Sequence, residues 1–310
     1  MSEKNKEKYN DLGLGNRGTA GTVRALNKNG SFNVKKQNIP FLERLNFYHS
    51  LVNMSWLKFF GIIIIGYFII NLFFATLYLS IGLEHLTGIL ASTKLEGFRE
   101  AFFFSSQTIT TLGYGRVAPV GVLANIVAAV ESMLGLLSFA LATGLLYGRF
   151  SKPSAKIKYS KHAVIAPYQD INGFMFRVIN PNENELLEVE VNLTLSMKKN
   201  DSELRDFFQL NLERPKVVFL PSVWTVVHPI NASSPLHNLS DEDFHKKDVE
   251  FIILIRAFDE SFSQTVYSRS SYKSTEIKWA QKFVYIIKHE DDGVSVDVSR
   301  LDETEAAALN

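Results

Sequence analysis

The run Thr108-Ile109-Thr110-Thr111-Leu112-Gly113-Tyr114-Gly115 contains no nucleophile–base pair. It offers closely spaced backbone carbonyls, a threonine hydroxyl at the inner end and two glycines. An alkali cation that sheds its water needs replacement oxygens, and carbonyls turned to a shared axis supply them. Successive carbonyls face one side only where some residues take left-handed backbone angles. Glycine does this at least cost, which accounts for Gly113 and Gly115. Tyr114 is then expected to point away from the axis and brace the run against neighbouring helices. Surrounding an ion takes four copies, so the chemistry predicts a homotetramer.

Such a run needs a dry, membrane-depth setting, and the flanking sequence supplies one. Residues 59–83 contain no Asp, Glu, Lys or Arg. As a helix they would reach about 37 Å, beyond the ~30 Å hydrocarbon core. Trp56 and Tyr78 near the ends read as interfacial aromatics. A second apolar stretch, 117–148, carries Glu131 as its sole charge and is bounded by Pro119 and Arg149. Arg149, Lys152, Lys156, Lys158 and Lys161 follow it, while Lys35, Lys36, Arg44 and Lys58 precede the first stretch. The positive-inside rule then puts both termini in the cytoplasm of a multi-pass protein of the cell (inner or plasma) membrane. Between the spans, Ala101-Phe102-Phe103-Phe104 is too apolar for a free loop, and the segment is too short to cross twice. A re-entrant helix over 98–110 fits, because irregular backbone at membrane depth is tolerated only when buried in protein or lining a wet cavity.

The chain has 310 residues and a net charge of +1, which argues against a dedicated nucleic-acid binder. It has no cysteine, hence no disulfide, thiolate metal site or cysteine nucleophile. Its seven histidines lack metal-ligand spacing, and no enzyme is indicated. No cleavable signal peptide is visible in the polar opening residues. The C-terminal half is β-rich. Residues 187–197 alternate apolar and polar, as a half-buried strand does, and 251–255 read as a strand buried on both faces. Residues 217–220, 224–227, 265–267 and 283–287 add further β-rich runs. From Asp302 onward the chain reads as frayed or helical.

Four stretches together resemble one known family: 24–34 (RALNKNGSFNV), the run ending TLGYG, 141–153 (LATGLLYGRFSKP) and 260–283 (ESFSQTVYSRSSYKSTEIKWAQKF). With Ser234-Pro235-Leu236 they are similar to inward-rectifier potassium channels, most of all the prokaryotic branch. TLGYG itself is a variant of the known TVGYG potassium filter. The resemblance implies a membrane α plus β fold: two transmembrane helices, a re-entrant pore helix and filter, then a cytoplasmic immunoglobulin-like β-sandwich, assembled as a homotetramer. It divides the chain into a cytoplasmic N-terminal segment (1–40), an amphipathic slide helix (41–55), a pore domain (56–152) and a cytoplasmic β-sandwich (153–310). Phe41, Leu45, Tyr48 and Val52 recur at helical spacing within the slide helix, with Glu43 and Arg44 interleaved.

By the same resemblance Thr111, Leu112, Gly113, Tyr114 and Gly115 form the filter. K⁺ is bound at Thr111 to Tyr114, and no other cofactor is implied. Phe139, Thr143 and Tyr147 recur every four residues and could share a pore face. Tyr147 matches the bundle-crossing gate, or else anchors at the inner interface. Gly135 and Gly144 are hinge candidates, or sites of close helix packing. Phe139 stands where strongly rectifying relatives carry an acid, which implies weak rectification. A lipid-facing glutamate would be costly, so Glu131 is expected at the pore or behind the filter, attracting ions or bracing; otherwise it is a protonated or paired structural acid. Gln107 replaces a pore-helix acid of many relatives. Arg116 replaces the Asp of prokaryotic ones and puts a cation at the outer mouth. Glu260, Ser261, Phe262, Ser263 and Gln264 match the narrow cytoplasmic pore loop. Glu188 is a weaker vestibule acid. Arg149, Lys152, Lys156 and Lys158 could attract anionic lipid headgroups or serve topology alone.

The GxGxxG at 13–18 has no preceding strand and no βαβ unit, so it is no dinucleotide site. Asn192, Asn231 and Asn238 form glycosylation sequons on what the topology makes the cytoplasmic side. Two rival readings remain at this stage: a membrane-anchored binding module with a vestigial pore, supported by Arg116, and a poorly selective cation channel.

Overall fold

The computed structural model describes residues 8–9, 24–34, 38, 40, 46–151, 155–182, 184–199, 204–220, 223–291 and 293–310. The chain divides into two compact units, one of residues 38–152 and one of 1–37 with 153–310. Residues 24–34 therefore fold with the β-rich half. Residues 41–45, Lys35, Lys36, Lys152 and the GxGxxG lie outside the described residues.

The first unit is helical. A short helix (Phe47–Asn53) leads into the first span (Trp56–Ile81), which stops at Gly82 with φ +111°. A middle helix (Lys94–Ile109) follows, then the second span (Val122–Phe150). Both spans are long and apolar enough to cross a membrane. The middle helix starts at Lys94, not 98, because Thr93 and Glu96 form a reciprocal capping box that hydropathy does not register. The second span starts after Gly121 instead of at 117. Ala118–Pro119 pairs with Leu86–Thr87 before it, and Pro119 ends that ladder. Tyr78 is not interfacial: it is buried, with its ring edge-on to Phe104.

The second unit holds two large sheets around one core. One runs Lys8–Tyr9, Arg205–Leu210, Leu186–Lys198, Glu250–Asp259, Gln264–Lys273, with Lys216–Phe219 also paired to Leu186–Lys198. The other runs Val223–Pro229, Ile171–Ile179, Ala163–Tyr168, Ile277–Trp279, with Lys158–Tyr159 on Ile171–Ile179. Phe174 of one sheet stacks on Phe251 of the other at 3.7 Å between ring centres. Three expectations change here. Strand Glu250–Asp259 is covered on one face: Phe251, Ile253, Ile255 and Ala257 are buried, whereas Leu254 is 36% exposed. The run 283–287 splits, Phe283 ending one strand and Ile287 opening another. Beyond Asp302 the chain is neither frayed nor helical, since Thr304–Ala306 pairs with Gln281–Phe283.

Residues 24–34 are fastened by buried and half-buried polar contacts that no periodicity could signal. Arg24 donates to the Ser271 carbonyl at 2.5 Å and to Glu276 at 2.9 Å, and Lys28 approaches Glu276 at 3.1 Å. The buried Glu250 carboxylate accepts the Ala25 and Leu26 N–H groups at 3.2 and 3.3 Å. Burial pushes the Glu276 carboxyl up, but hydrogen bonds from Arg24, the Lys273 N–H and Lys28 outweigh it and hold its pKa below the usual range.

Candidate functional site

The middle helix delivers the chain to the run 111–115. Past Ile109 the backbone turns: Thr111 N–H donates to the Thr108 carbonyl at 3.0 Å, and Leu112 N–H to the Gln107 carbonyl at 2.9 Å. Gly113 N–H reaches the same Gln107 carbonyl at 3.3 Å. Gln107 is half-buried and anchors the start of the run through its backbone. Thr111, Gly113 and Gly115 have φ of +57°, +50° and +81°, while Leu112 and Tyr114 between them do not take positive φ. Left-handed angles at every second residue are what a line of carbonyls on one side requires. Glycine chemistry pointed to two of these positions. Thr111, β-branched and unfavourable at positive φ, could not have been read from its type. Leu112 and Tyr114 are 56% and 73% exposed within the single chain.

Arg116 is not a bare cation. Its guanidinium is ion-paired with Glu100 of the middle helix and donates to the Gly88 carbonyl at 3.3 Å. Glu100 was missed because nothing in the sequence links two positions sixteen residues apart on different elements. A Cβ on Gly88 would lie 1.8 Å from the Arg116 carbonyl oxygen, so only glycine allows this approach.

Glu131 is fully buried among the three long helices of this unit. It accepts the Tyr78 hydroxyl of the first span at 2.6 Å and is hydrogen-bonded to Ser105 of the middle helix. Ser105 also lies 3.0 Å from the Asn71 Oδ1 of the first span. One turn along, Tyr67 is hydrogen-bonded to Ser106. Serines within an apolar helix were the signal for these partners. Gly135, one turn beyond Glu131, touches the middle helix: a Cβ there would sit 2.0 Å from the Ile109 carbonyl oxygen. A Cβ at Gly144 would meet nothing within 4 Å beyond its own helix.

On the second span Phe139, Thr143 and Tyr147 are all exposed, Phe139 and Tyr147 at 74%. A cavity of about 790 Å³, lined by Gly66, Tyr67, Thr110, Thr111, Gly135 and Phe139 among others, lies at the end of the middle helix. Arg149 is occupied. It donates to the carbonyls of Leu51, Val52 and Met54 at 2.5, 3.2 and 2.7 Å, with its guanidinium 4.4 Å from the Trp56 ring centre. It thus satisfies the end of the short helix, whose last carbonyls otherwise lack partners. Lys156 and Lys158 are exposed.

In the β-rich unit, Glu260, Ser261, Phe262, Ser263 and the start of strand Gln264–Lys273 form an exposed hairpin turn. Asp259, buried beside it, accepts the Phe262 N–H at 3.3 Å and the Asn184 side-chain amide at 2.8 Å. Glu188 has φ +48° at an irregularity in strand Leu186–Lys198, which turns its carboxylate outward to Lys216 at 3.3 Å.

Comparison with known proteins agrees along most of the chain. Residues 26–153 match the inward rectifier potassium channel transmembrane domain, and residues 157–309 the inward rectifier potassium channel C-terminal domain. The chain is similar to inward rectifier potassium channel Kirbac3.1 of Paramagnetospirillum magnetotacticum, 33% identical over 274 residues, covering 87% of this chain and 91% of that one. It is also similar to the mouse G protein-activated inward rectifier potassium channel 2, at 29% identity over 91% of this chain and 71% of that one. A third relative is the rabbit ATP-sensitive inward rectifier potassium channel 11, at 28% identity over 91% and 78%. With both halves matched, the chain belongs to the inward rectifier potassium channel family: it is a membrane protein with a β-rich cytoplasmic domain, and it is not an enzyme.

Proposed function

We propose that four copies of this chain form a pore that conducts K⁺ passively through Thr111, Leu112, Gly113, Tyr114 and Gly115. The carrying observation is positive φ at every second residue of that run, in a TLGYG sequence set between two apolar spans. K⁺ is the species that Thr111 to Tyr114 coordinate, by carbonyls in place of water. The middle helix acts as the re-entrant pore helix, both termini are cytoplasmic, and the two-sheet unit is an immunoglobulin-like sandwich. Tyr147 forms the gate, with Phe139 and Thr143 above it on the same helix face. An aromatic ring at Phe139 offers Mg²⁺ and polyamines no charge, so rectification from that site is weak. Gly135 already has a packing role, which leaves Gly144 as the freer hinge. Glu260 to Gln264 line the cytoplasmic entry. Lys152, Lys156 and Lys158 meet anionic headgroups, while the guanidinium of Arg149 serves the short helix. The pairing of Arg116 with Glu100 removes the main support for a vestigial pore.

The test is K⁺ against Na⁺ flux in liposomes, with Ba²⁺ as blocker. Ba²⁺-sensitive flux favouring K⁺ is expected. A K⁺/Na⁺ ratio near one overturns the selectivity reading. Where the wild type is silent, Tyr147→Ala should conduct; silence of both overturns the conduction reading.

A further inference from the structure

The polar seam behind the middle helix can be counted hydrogen by hydrogen. It contains three oxygen–oxygen contacts: Tyr78 to Glu131, Glu131 to Ser105, and Ser105 to Asn71. The amide of Asn71 is oriented by its own bond, since Nδ2 donates to the Tyr67 carbonyl at 2.7 Å and leaves Oδ1 facing Ser105. Asn71 Oδ1 can therefore only accept. Each contact needs one hydrogen, and the two hydroxyls bring two. With Glu131 ionised, the Ser105 hydrogen serves either Glu131 or Asn71, and one buried oxygen faces another with nothing between them.

We propose that Glu131 carries a proton and that, as a neutral acid, it is the positioning residue that ties both spans to the middle helix. The third hydrogen then sits on Glu131 Oε1. Tyr78 donates to Glu131 Oε2, Glu131 Oε1 donates to Ser105, Ser105 to Asn71 Oδ1, and Asn71 Nδ2 to the Tyr67 carbonyl. Every contact is satisfied in one direction. Burial points the same way. Glu131 is 0% exposed within the single chain, so neither lipid nor a neighbouring subunit reaches it. Among the described residues no Lys, Arg or His pairs with it. Tyr78 of the first span is the one titratable group bonded to it; Ser105 of the middle helix and Asn71 of the first span carry no charge. An unpaired carboxylate in such a place is far costlier than a hydrogen-bonded acid. The middle helix is thereby pinned at Ser105, two residues before the Gln107 carbonyl that holds Leu112 and Gly113. This last step rests on the channel reading; the proton assignment does not.

The experiment is infrared difference spectroscopy, wild type minus Glu131→Gln, on the full chain in liposomes, paired with K⁺ flux. A neutral carboxylic C=O stretch, shifting in D₂O, is expected at about pH 6, where a free glutamate is ionised. Glutamine reproduces the pattern, its carbonyl accepting from Tyr78 and its amide donating to Ser105. Glu131→Gln should thus recover most of the flux that Glu131→Ala loses, a loss of about tenfold for each of the two buried bonds removed. Tyr78→Phe, which keeps the fold's volume, should weaken and shift the same band. Absence of the band overturns the proton assignment even where flux is normal. A band with no flux from either wild type or Tyr147→Ala upholds the assignment and sinks the channel reading.

Discussion

Along the first span the outward residues include Ile62, Ile64, Ile65, Phe68 and Ile69, and the covered ones include Asn71. Strand Glu250–Asp259 is arranged the other way, with Phe251, Ile253, Ile255 and Ala257 covered and Arg256 outward, paired to Glu190 at 3.2 Å. The acids differ in parallel. Glu276 and Glu250 of the β-rich unit are met by guanidinium, ammonium and backbone N–H groups. Glu131 of the membrane unit is met by two hydroxyls. The difference lies in the solvent outside each unit. Water rewards burial of apolar surface, so the sheets hide it. Hydrocarbon does not, so the helices associate through small residues and hydrogen bonds, with polar groups inward.

Breaking the β-rich side of this contrast should have the largest effect. Phe251→Ala removes the ring stacked on Phe174 and should cost about 3–5 kcal/mol, read as a lowered denaturant midpoint. A loss below about 1 kcal/mol would mean the two sheets do not share one packed core. Ile65→Lys should cost about 3 kcal/mol of apparent insertion free energy in a translocon assay. Unchanged insertion would place Ile65 away from lipid. Gly135→Ala forces the second span off the Ile109 carbonyl and should destabilise by about 1–3 kcal/mol, while Gly144→Ala should be neutral or stabilising by up to about 1 kcal/mol. Equal behaviour in a thermal melt would remove the packing distinction between the two glycines.

Smaller effects sharpen the comparison at its polar edges. Arg116→Ala should raise single-channel current at low salt and Glu100→Gln lower it, each charge acting by about 1 kcal/mol or less, with the double variant near wild type. Two changes of the same sign would show that the pair does not act electrostatically at the outer mouth. Glu276 has a depressed pKa in the folded chain. Its stabilising contribution is therefore fully present above the ordinary carboxylate value of about 4.3 and is lost as pH falls through the folded value. The gap between acid melts of wild type and Arg24→Ala should narrow below that window, leaving the share due to the Ser271 carbonyl; a constant gap would mean Arg24 does not hold the carboxylate.

The spans were legible because a long charge-free stretch has few physical outcomes. Their ends were less so, since the capping box at Thr93 and the turn at Gly121 act through single hydrogen bonds and dihedrals that hydropathy averages away. Strand Leu186–Lys198 was legible from its alternation, but the outward turn at Glu188 was not. The two-sided burial read into 251–255 failed because apolar residues on both faces of a strand do not supply a second covering layer within one chain. In the candidate site, Gly113 and Gly115 were readable from type, whereas Thr111 takes the same left-handed angles against its own preference.

Sequence alone therefore determined the membrane–β division, the apolar spans and the family, since each is written in composition, periodicity or extended motif. Only the tertiary structure decided which polar groups meet. It brought Arg116 to Glu100, Arg149 to the end of the short helix, Arg24 to Glu276 and Glu131 to Tyr78 and Ser105. The physical reason is that a buried polar atom needs a partner about 3 Å away in space, and spacing along the chain carries no information about that distance once helices and sheets have packed.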